Sequence, residues 1–111
     1  MTQFIDIAAL SDIPPQGARV VKTPAGCIAI FRTSDDQLFA LEDRCPHKGG
    51  PLSEGIVHGT QVTCPLHAWV FDLNTGQAQG ADEGRVQTFA VRAEGGRVLL
   101  DAAFLARRSA A

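Results

Sequence analysis

A chain of 111 residues and 11.8 kDa has the length of one domain, because a second core needs roughly another 100 residues; this argues against a self-sufficient multi-step enzyme. Apolar residues make up 45% of the chain at a mean hydropathy of +0.03, enough for one packed core and too much for a chain held open by charge. Ten Lys and Arg against twelve Asp and Glu leave a formal charge of −2, with no block of like charge longer than Arg107-Arg108, so the basic footprint that nucleic acid requires is missing.

In chain order, Ile7 to Leu10 reads as a helix-like stretch of at most a turn or two, stopped by Ser11-Asp12-Ile13-Pro14-Pro15. Ala18 to Lys22, Cys27 to Arg32 and Gln37 to Leu41 are apolar stretches separated by Thr23-Pro24-Ala25-Gly26 and Thr33-Ser34-Asp35-Asp36. They predict a three-stranded meander. The Gly- and Pro-rich stretch from Asp43 to Ile56 is poor material for a strand or helix and predicts a functional loop on a β-scaffold. Beyond Thr60, Gln61 to Thr63 and Val70 to Leu73 read as strands, and Asn74-Thr75-Gly76 as a hairpin loop with its Gly in the left-handed position. Arg85 to Arg92 and Arg97 to Leu100, flanking Glu94-Gly95-Gly96, predict a closing hairpin. The tail from Ala102 to Ala111 is a final helical turn or a frayed end. No internal repeat interrupts this pattern, and the expected fold class is all-β.

Three cysteines cannot pair completely, and no charged-then-apolar leader precedes Phe4. A cytoplasmic chain whose cysteines are ligands or thiols is therefore expected, and no apolar run approaches the ~20 residues of a membrane span. Two of the cysteines each have a histidine close behind: Cys45-Pro46-His47 and Cys64-Pro65-Leu66-His67, giving C-x-H, sixteen residues, C-x-x-H. Thiolate and neutral imidazole both bind soft or borderline metals, so the four side chains could hold one zinc or, in pairs, two irons. Ordinary Cys2His2 zinc fingers place both cysteines in a hairpin and both histidines in a helix. Here each loop carries one of each, which suits a binuclear centre; a structural zinc module that mediates assembly is the alternative of another class.

The boxes Cys45-Pro46-His47-Lys48-Gly49 and Cys64-Pro65-Leu66-His67 resemble those of the Rieske [2Fe–2S] family. The resemblance, carried with the flanking β-pattern over nearly the whole chain, implies one [2Fe–2S] cluster per chain. Cys45 and Cys64 would hold one iron and His47 and His67 the other. It also implies a Rieske-like antiparallel β-sandwich, a single domain over residues 1–111, with a cluster-binding subdomain at about 43–72 inserted in a β base. Two ferric ions, two sulfides and two thiolates sum to zero charge, whereas four thiolates would leave two negative charges, so the imidazoles raise the potential. In the family the second ring nitrogen stays near solvent, so reduction should make His47 and His67 more basic.

High-potential members of the family carry a further cysteine in each box, joined as a disulfide; here those positions are Gly50 and Leu66. They also place a Ser and a Tyr after the second box, where this chain has Trp69 and Phe71, neither of which offers a hydroxyl to a cluster sulfur. A potential near the low end of the roughly −150 to +300 mV Rieske range is expected.

Among the other candidates, Cys27 reads as a buried, inert thiol, and His58 as a surface histidine rather than a fifth ligand. Trp69 and Phe71 read as packing under the cluster loops, and Lys48 as a solvated cation that could orient an acidic partner. Gly80-Ala81-Asp82-Glu83-Gly84 is either a third loop over the cluster or a plain acidic turn. The expected docking face is the cluster tip, with His47 and His67 exposed among Gly49, Gly50, Pro51 and Leu66.

There is no Gly-x-Gly-x-x-Gly turn for a dinucleotide, so an electron carrier is expected, with no catalytic residue of its own and substrate chemistry on another chain. Residues 42–55, Cys64-Pro65-Leu66-His67 and Asp82-Glu83-Gly84-Arg85-Val86-Gln87-Thr88-Phe89 resemble the small subunits of assimilatory NAD(P)H-dependent nitrite reductases, except that Ala81 stands where proline is expected. That resemblance implies a larger flavin- and sirohaem-containing subunit as partner. The alternative is a free Rieske-type ferredoxin between a flavoprotein reductase and a ring-hydroxylating oxygenase.

Overall fold

The structure, a computed structural model, describes residues 4–23, 26–43, 51–65, 69–79 and 84–101. Ten strands account for most of them: β1 (Phe4–Ala9), β2 (Gly17–Thr23), β3 (Gly26–Arg32), β4 (Leu38–Glu42), β5 (Ile56–His58), β6 (Gln61–Thr63), β7 (Val70–Asp72), β8 (Thr88–Phe89), β9 (Val91–Glu94) and β10 (Arg97–Asp101). Two short 3-10 turns, Leu10–Asp12 and Leu52–Glu54, are the helical elements among the described residues. The strands form three antiparallel sheets in the orders β1-β10-β9, β2-β3-β4-β8 and β5-β6-β7, which is the all-β, antiparallel class expected.

The expected meander is β2-β3-β4, with Ile30 opposite Arg19 on one side and Ala40 on the other. Its second turn is built by Thr33, whose backbone N–H bonds the Gln37 carbonyl at 2.9 Å and whose buried Oγ1 accepts the Gln37 N–H at 3.0 Å. That hydroxyl donates to the Asp35 carboxylate, so the buried oxygen is satisfied and the carboxyl is held below its usual range, chiefly by this bond.

Strand β3 carries the run Cys27-Ile28-Ala29-Ile30-Phe31 because both its faces are covered. Ile28 and Ile30 pack with Ile13, Val98 and Leu100 toward the β1-β10-β9 sheet. Ala29 and Phe31 pack with Val57, Val62, Phe71 and Leu73 toward the small β5-β6-β7 sheet. Strand β4 repeats the division, Leu38 and Ala40 facing the first cluster and Phe39 and Leu41 the second. The central sheet thus lies between two apolar layers.

Three expectations need correction. Ile7 to Leu10 is mainly strand, because Phe4–Ala9 pairs with β10, and only Leu10–Asp12 turns helically. Cys27 is exposed rather than buried. Alternation places it on the same side as Ala29 and Phe31, but it lies at the hairpin end of β3, opposite Lys22, where the covering layer has stopped. The stretch from Arg85 to Arg92 is also not one strand: β8 pairs with β4 and, past Ala90, β9 pairs with β10, so the chain changes sheet there.

Candidate metal centre

Of the four expected ligands, Cys64 is described; Cys45, His47 and His67 lie outside the described residues, as do Lys48, Gly49, Gly50, Leu66 and residues 80–83. The stems of both ligand loops are described in full, and they converge on one apolar floor.

The first stem begins where β4 ends. Glu42 donates its N–H to the Gln87 carbonyl at 2.9 Å and Asp43 donates to the Cys27 carbonyl at 3.0 Å. On the far side of residues 44–50, Ser53 donates its backbone N–H to Asp43 Oδ1 at 2.7 Å and its hydroxyl to Asp43 Oδ2 at 2.9 Å. Ser53 belongs to the 3-10 turn Leu52–Glu54, closed by Gly55 N–H to the Leu52 carbonyl at 2.9 Å. Leu52 is fully buried. The described residues on either side of 44–50 are therefore joined by direct hydrogen bonds.

The second stem is the β6-β7 hairpin, with Thr63 opposite Val70. Immediately beyond the pair, Cys64 donates its N–H to the Trp69 carbonyl at 2.6 Å, closing the loop that holds Pro65 and His67. Cys64 is 1% exposed and packs in the same cluster as Leu52, Val57, Val62 and Phe71. Leu52 from the first stem and Cys64 from the second thus share a floor. Trp69 is half-buried against it, its ring centroid 6.3 Å from that of the fully buried Phe71; both pack as expected, and the loops they were expected to underlie lie outside the described residues.

A third segment joins both stems. Gly76, at φ +77°, turns the chain after β7, and its carbonyl accepts the Val86 N–H at 2.9 Å. Ala78 donates to the Gly84 carbonyl at 3.0 Å. With Gln87 already bonded to Glu42, residues 84–89 run from the second stem to the first. His58 is exposed, its Nε2 2.8 Å from Thr63 Oγ1, which matches a surface histidine.

The donor set can be tested against an iron–sulfur centre. A thiolate on an apolar floor is costly unless a cation takes its charge, and a metal at Cys64 would do so. Two thiolates and two imidazoles would leave an oxidised [2Fe–2S] core with no net charge, which suits the apolar surroundings of Cys64. The residues fit the group. Sequence reading assigned no role to Asp43 or Ser53, although an acceptor two residues before the first cysteine and a hydroxyl in a Leu-Ser-Glu turn are the signals of a side-chain clamp on a loop.

Comparison with known proteins agrees. The model of the Rieske-like [2Fe–2S] domain matches residues 3–101. The ferredoxin component of naphthalene 1,2-dioxygenase/salicylate 5-hydroxylase systems from Ralstonia sp. is 34% identical over 90% of this chain and 97% of its own. Among solved structures, a chain from the complex of reduced oxygenase and oxidised ferredoxin of carbazole 1,9a-dioxygenase is similar with a TM-score of 0.78 at 30% identity, covering 88% of this chain and 92% of that one. A structure described as an NADPH nitrite reductase small subunit has a TM-score of 0.80 at 26% identity, covering 90% of this chain and 99% of that one. These findings favour the cluster over the structural zinc that the ligand types left open. The chain belongs to the Rieske-like [2Fe–2S] domain family, and its activity is electron transfer through a Rieske [2Fe–2S] cluster.

Proposed function

We propose that Cys45 and Cys64 hold one iron of the cluster and His47 and His67 the other, and that the chain is the small, electron-carrying subunit of a cytoplasmic NAD(P)H-dependent nitrite reductase. When bound, the cluster accepts and releases single electrons. The protein's part is to hold it: Cys64 is fixed by its N–H bond to Trp69, and the first loop is fixed by the Asp43–Ser53 stem. We read residues 43–72 as the cluster-carrying part of a single domain; the small β5-β6-β7 sheet falls between β4 and β8 in the chain.

The observation that carries the nitrite reductase reading is the stretch 82–89, outside both boxes. It resembles that subfamily in sequence, and its described part, 84–89, bridges the two loop stems. The full-length likeness to a nitrite reductase small subunit supports it. A partner with flavin and sirohaem would then carry hydride acceptance and nitrite reduction to ammonia. Full-length identity to an oxygenase-system ferredoxin favours a second reading, a free carrier between a flavoprotein reductase and a ring-hydroxylating oxygenase. Affinity purification from the native source separates them: a co-purifying flavin–sirohaem chain supports the first reading, and an oxygenase overturns it.

The ligand set has its own test. Cys45→Ser is expected to abolish or severely weaken the visible absorption and the rhombic electron paramagnetic resonance signal of the dithionite-reduced protein. An unchanged spectrum overturns the assignment.

A further inference from the structure

The carboxylate of Asp43 has an unusual position for a surface acid. Both its oxygens are occupied, one by the Ser53 backbone N–H at 2.7 Å and one by the Ser53 hydroxyl at 2.9 Å, and both residues are half-buried. Its own N–H is bonded to Cys27 at the end of β3. Asp43 therefore ties the end of the central sheet, through its backbone, to the 3-10 turn beyond residues 44–50, through its side chain. The next residue before Ser53 is Leu52, which packs in the cluster containing Cys64. Asp43 is thus joined through Ser53 and its chain neighbour Leu52 to the core cluster that also contains Cys64.

We propose that Asp43 is a positioning residue for the cluster: through Ser53 it fixes the separation of the described residues on either side of 44–50, next to the floor that carries Cys64. The inference rests on the ligand assignment above. Its physical basis is that two hydrogen bonds to a carboxylate are stronger and more directional than neutral ones, and that the protein atoms around a metal centre tune both its retention and its electronic structure. A bidentate clamp also restrains two torsions at once. Without it, residues 44–50 would be anchored at one end by backbone alone.

The test uses the full chain with its cluster, and the wild-type spectrum is recorded first, so a colourless wild type would overturn the ligand assignment before any variant is made. Asp43→Ala removes both bonds, and Ser53→Ala removes the hydroxyl bond while leaving the backbone one. Asp43→Asn can keep both, its amide oxygen accepting the Ser53 N–H and its amide N–H donating to the hydroxyl. Arg97→Ala is the control: it removes the bidentate pair with Asp6 at 2.8 Å in the opposite sheet.

Loss of visible absorption in excess chelator is expected to be about tenfold faster in Asp43→Ala. It should be several-fold faster in Ser53→Ala, with shifted g values in both reduced proteins. Asp43→Asn should restore the rate to within about threefold of wild type, and Arg97→Ala should leave the g values unchanged. If Asp43→Ala fails to fold, Ser53→Ala carries the test. Wild-type rates and g values in Ser53→Ala, or equally fast loss and shifted g values in Arg97→Ala, would overturn the proposal.

Discussion

Phe71 and Trp69 occupy the positions at which high-potential relatives place hydroxyl donors, and the structure shows what stands there instead. Phe71 is fully buried in the floor beside Cys64, and Trp69 leans on it. Neither ring supplies the O–H bond to sulfur that stabilises a reduced, more negative cluster. A redox titration is therefore expected to place the midpoint below zero, toward the low end of the roughly −150 to +300 mV range; a positive midpoint would overturn this expectation. The same scale shows where sequence reading stopped. Cys64 and His67 could be picked out because residue type and spacing carry metal chemistry. The exposure of Cys27 could not, since an apolar run does not reveal how far its covering layer extends. Asp43 was legible as an acid and not as a clamp, because its partner lies beyond the loop it closes.

At the scale of elements, turn chemistry made the meander and the two later hairpins readable. Gly95 and Gly96 have φ of +57° and +78°, the left-handed pair that a two-residue hairpin needs, and Gly76 does what its position after Asn74-Thr75 promised. Strands β1 and β5 were not readable. The first has its partner at the far end of the chain, pairing Phe4 with Asp101, and the second is three residues inside a stretch rich in loop formers. The glycines themselves can be ranked. A Cβ on Gly76 would lie 2.2 Å from the Val86 carbonyl oxygen, besides the strain of its φ, whereas one on Gly59, at φ +60°, would meet nothing within 4 Å. Gly76→Ala is expected to destabilise the protein by at least about 2 kcal/mol in urea unfolding, and Gly59→Ala by about 1 kcal/mol.

The pairing of β1 with β10 also has a charge signature. Arg97 bonds both oxygens of Asp6, and this hydrogen-bonded pair holds the Asp6 carboxyl below its usual value and raises the Arg97 guanidinium. A carboxyl whose folded pKa is depressed contributes stability above its unfolded pKa, about 3.9, and loses it as pH falls through the folded value. Both side chains are about half exposed, so the effect is small and screened by salt. Thermal melts of Asp6→Asn are expected to lose less stability than wild type between pH 5 and the acid limb below about pH 4. Above that range the variant should be slightly the less stable of the two.

At the scale of the whole molecule, β3 separates two packed layers, and only one of them contains Leu52 and Cys64 from the two described stems. Ile30 and Phe31 are adjacent, both fully buried, and face opposite ways. Ile30→Ala should cost about 2–5 kcal/mol and Phe31→Ala about 3–5 kcal/mol in denaturant unfolding. Cluster loss to a chelator under native conditions should be accelerated chiefly by Phe31→Ala, whose cavity opens in the layer that holds Leu52 and Cys64. Equal acceleration by both would mean that the cluster senses only global stability. The fold class was legible as a count of short strands and turns. The division into two layers was not, because an uninterrupted apolar strand reads the same whether one neighbour or two cover it.

The partnership of β1 with β10 has a consequence for biosynthesis. The meander and the β5-β6-β7 hairpins pair with near neighbours in the chain, and local pairings close soonest because their loops are short. Strand β1 leaves the ribosome before any of them and yet must wait for Arg97–Asp101. The earliest of the described strands thus pairs with the latest, so the β1-β10-β9 layer needs the chain through Asp101, whereas the floor and stems of the metal centre need it no further than Gln87.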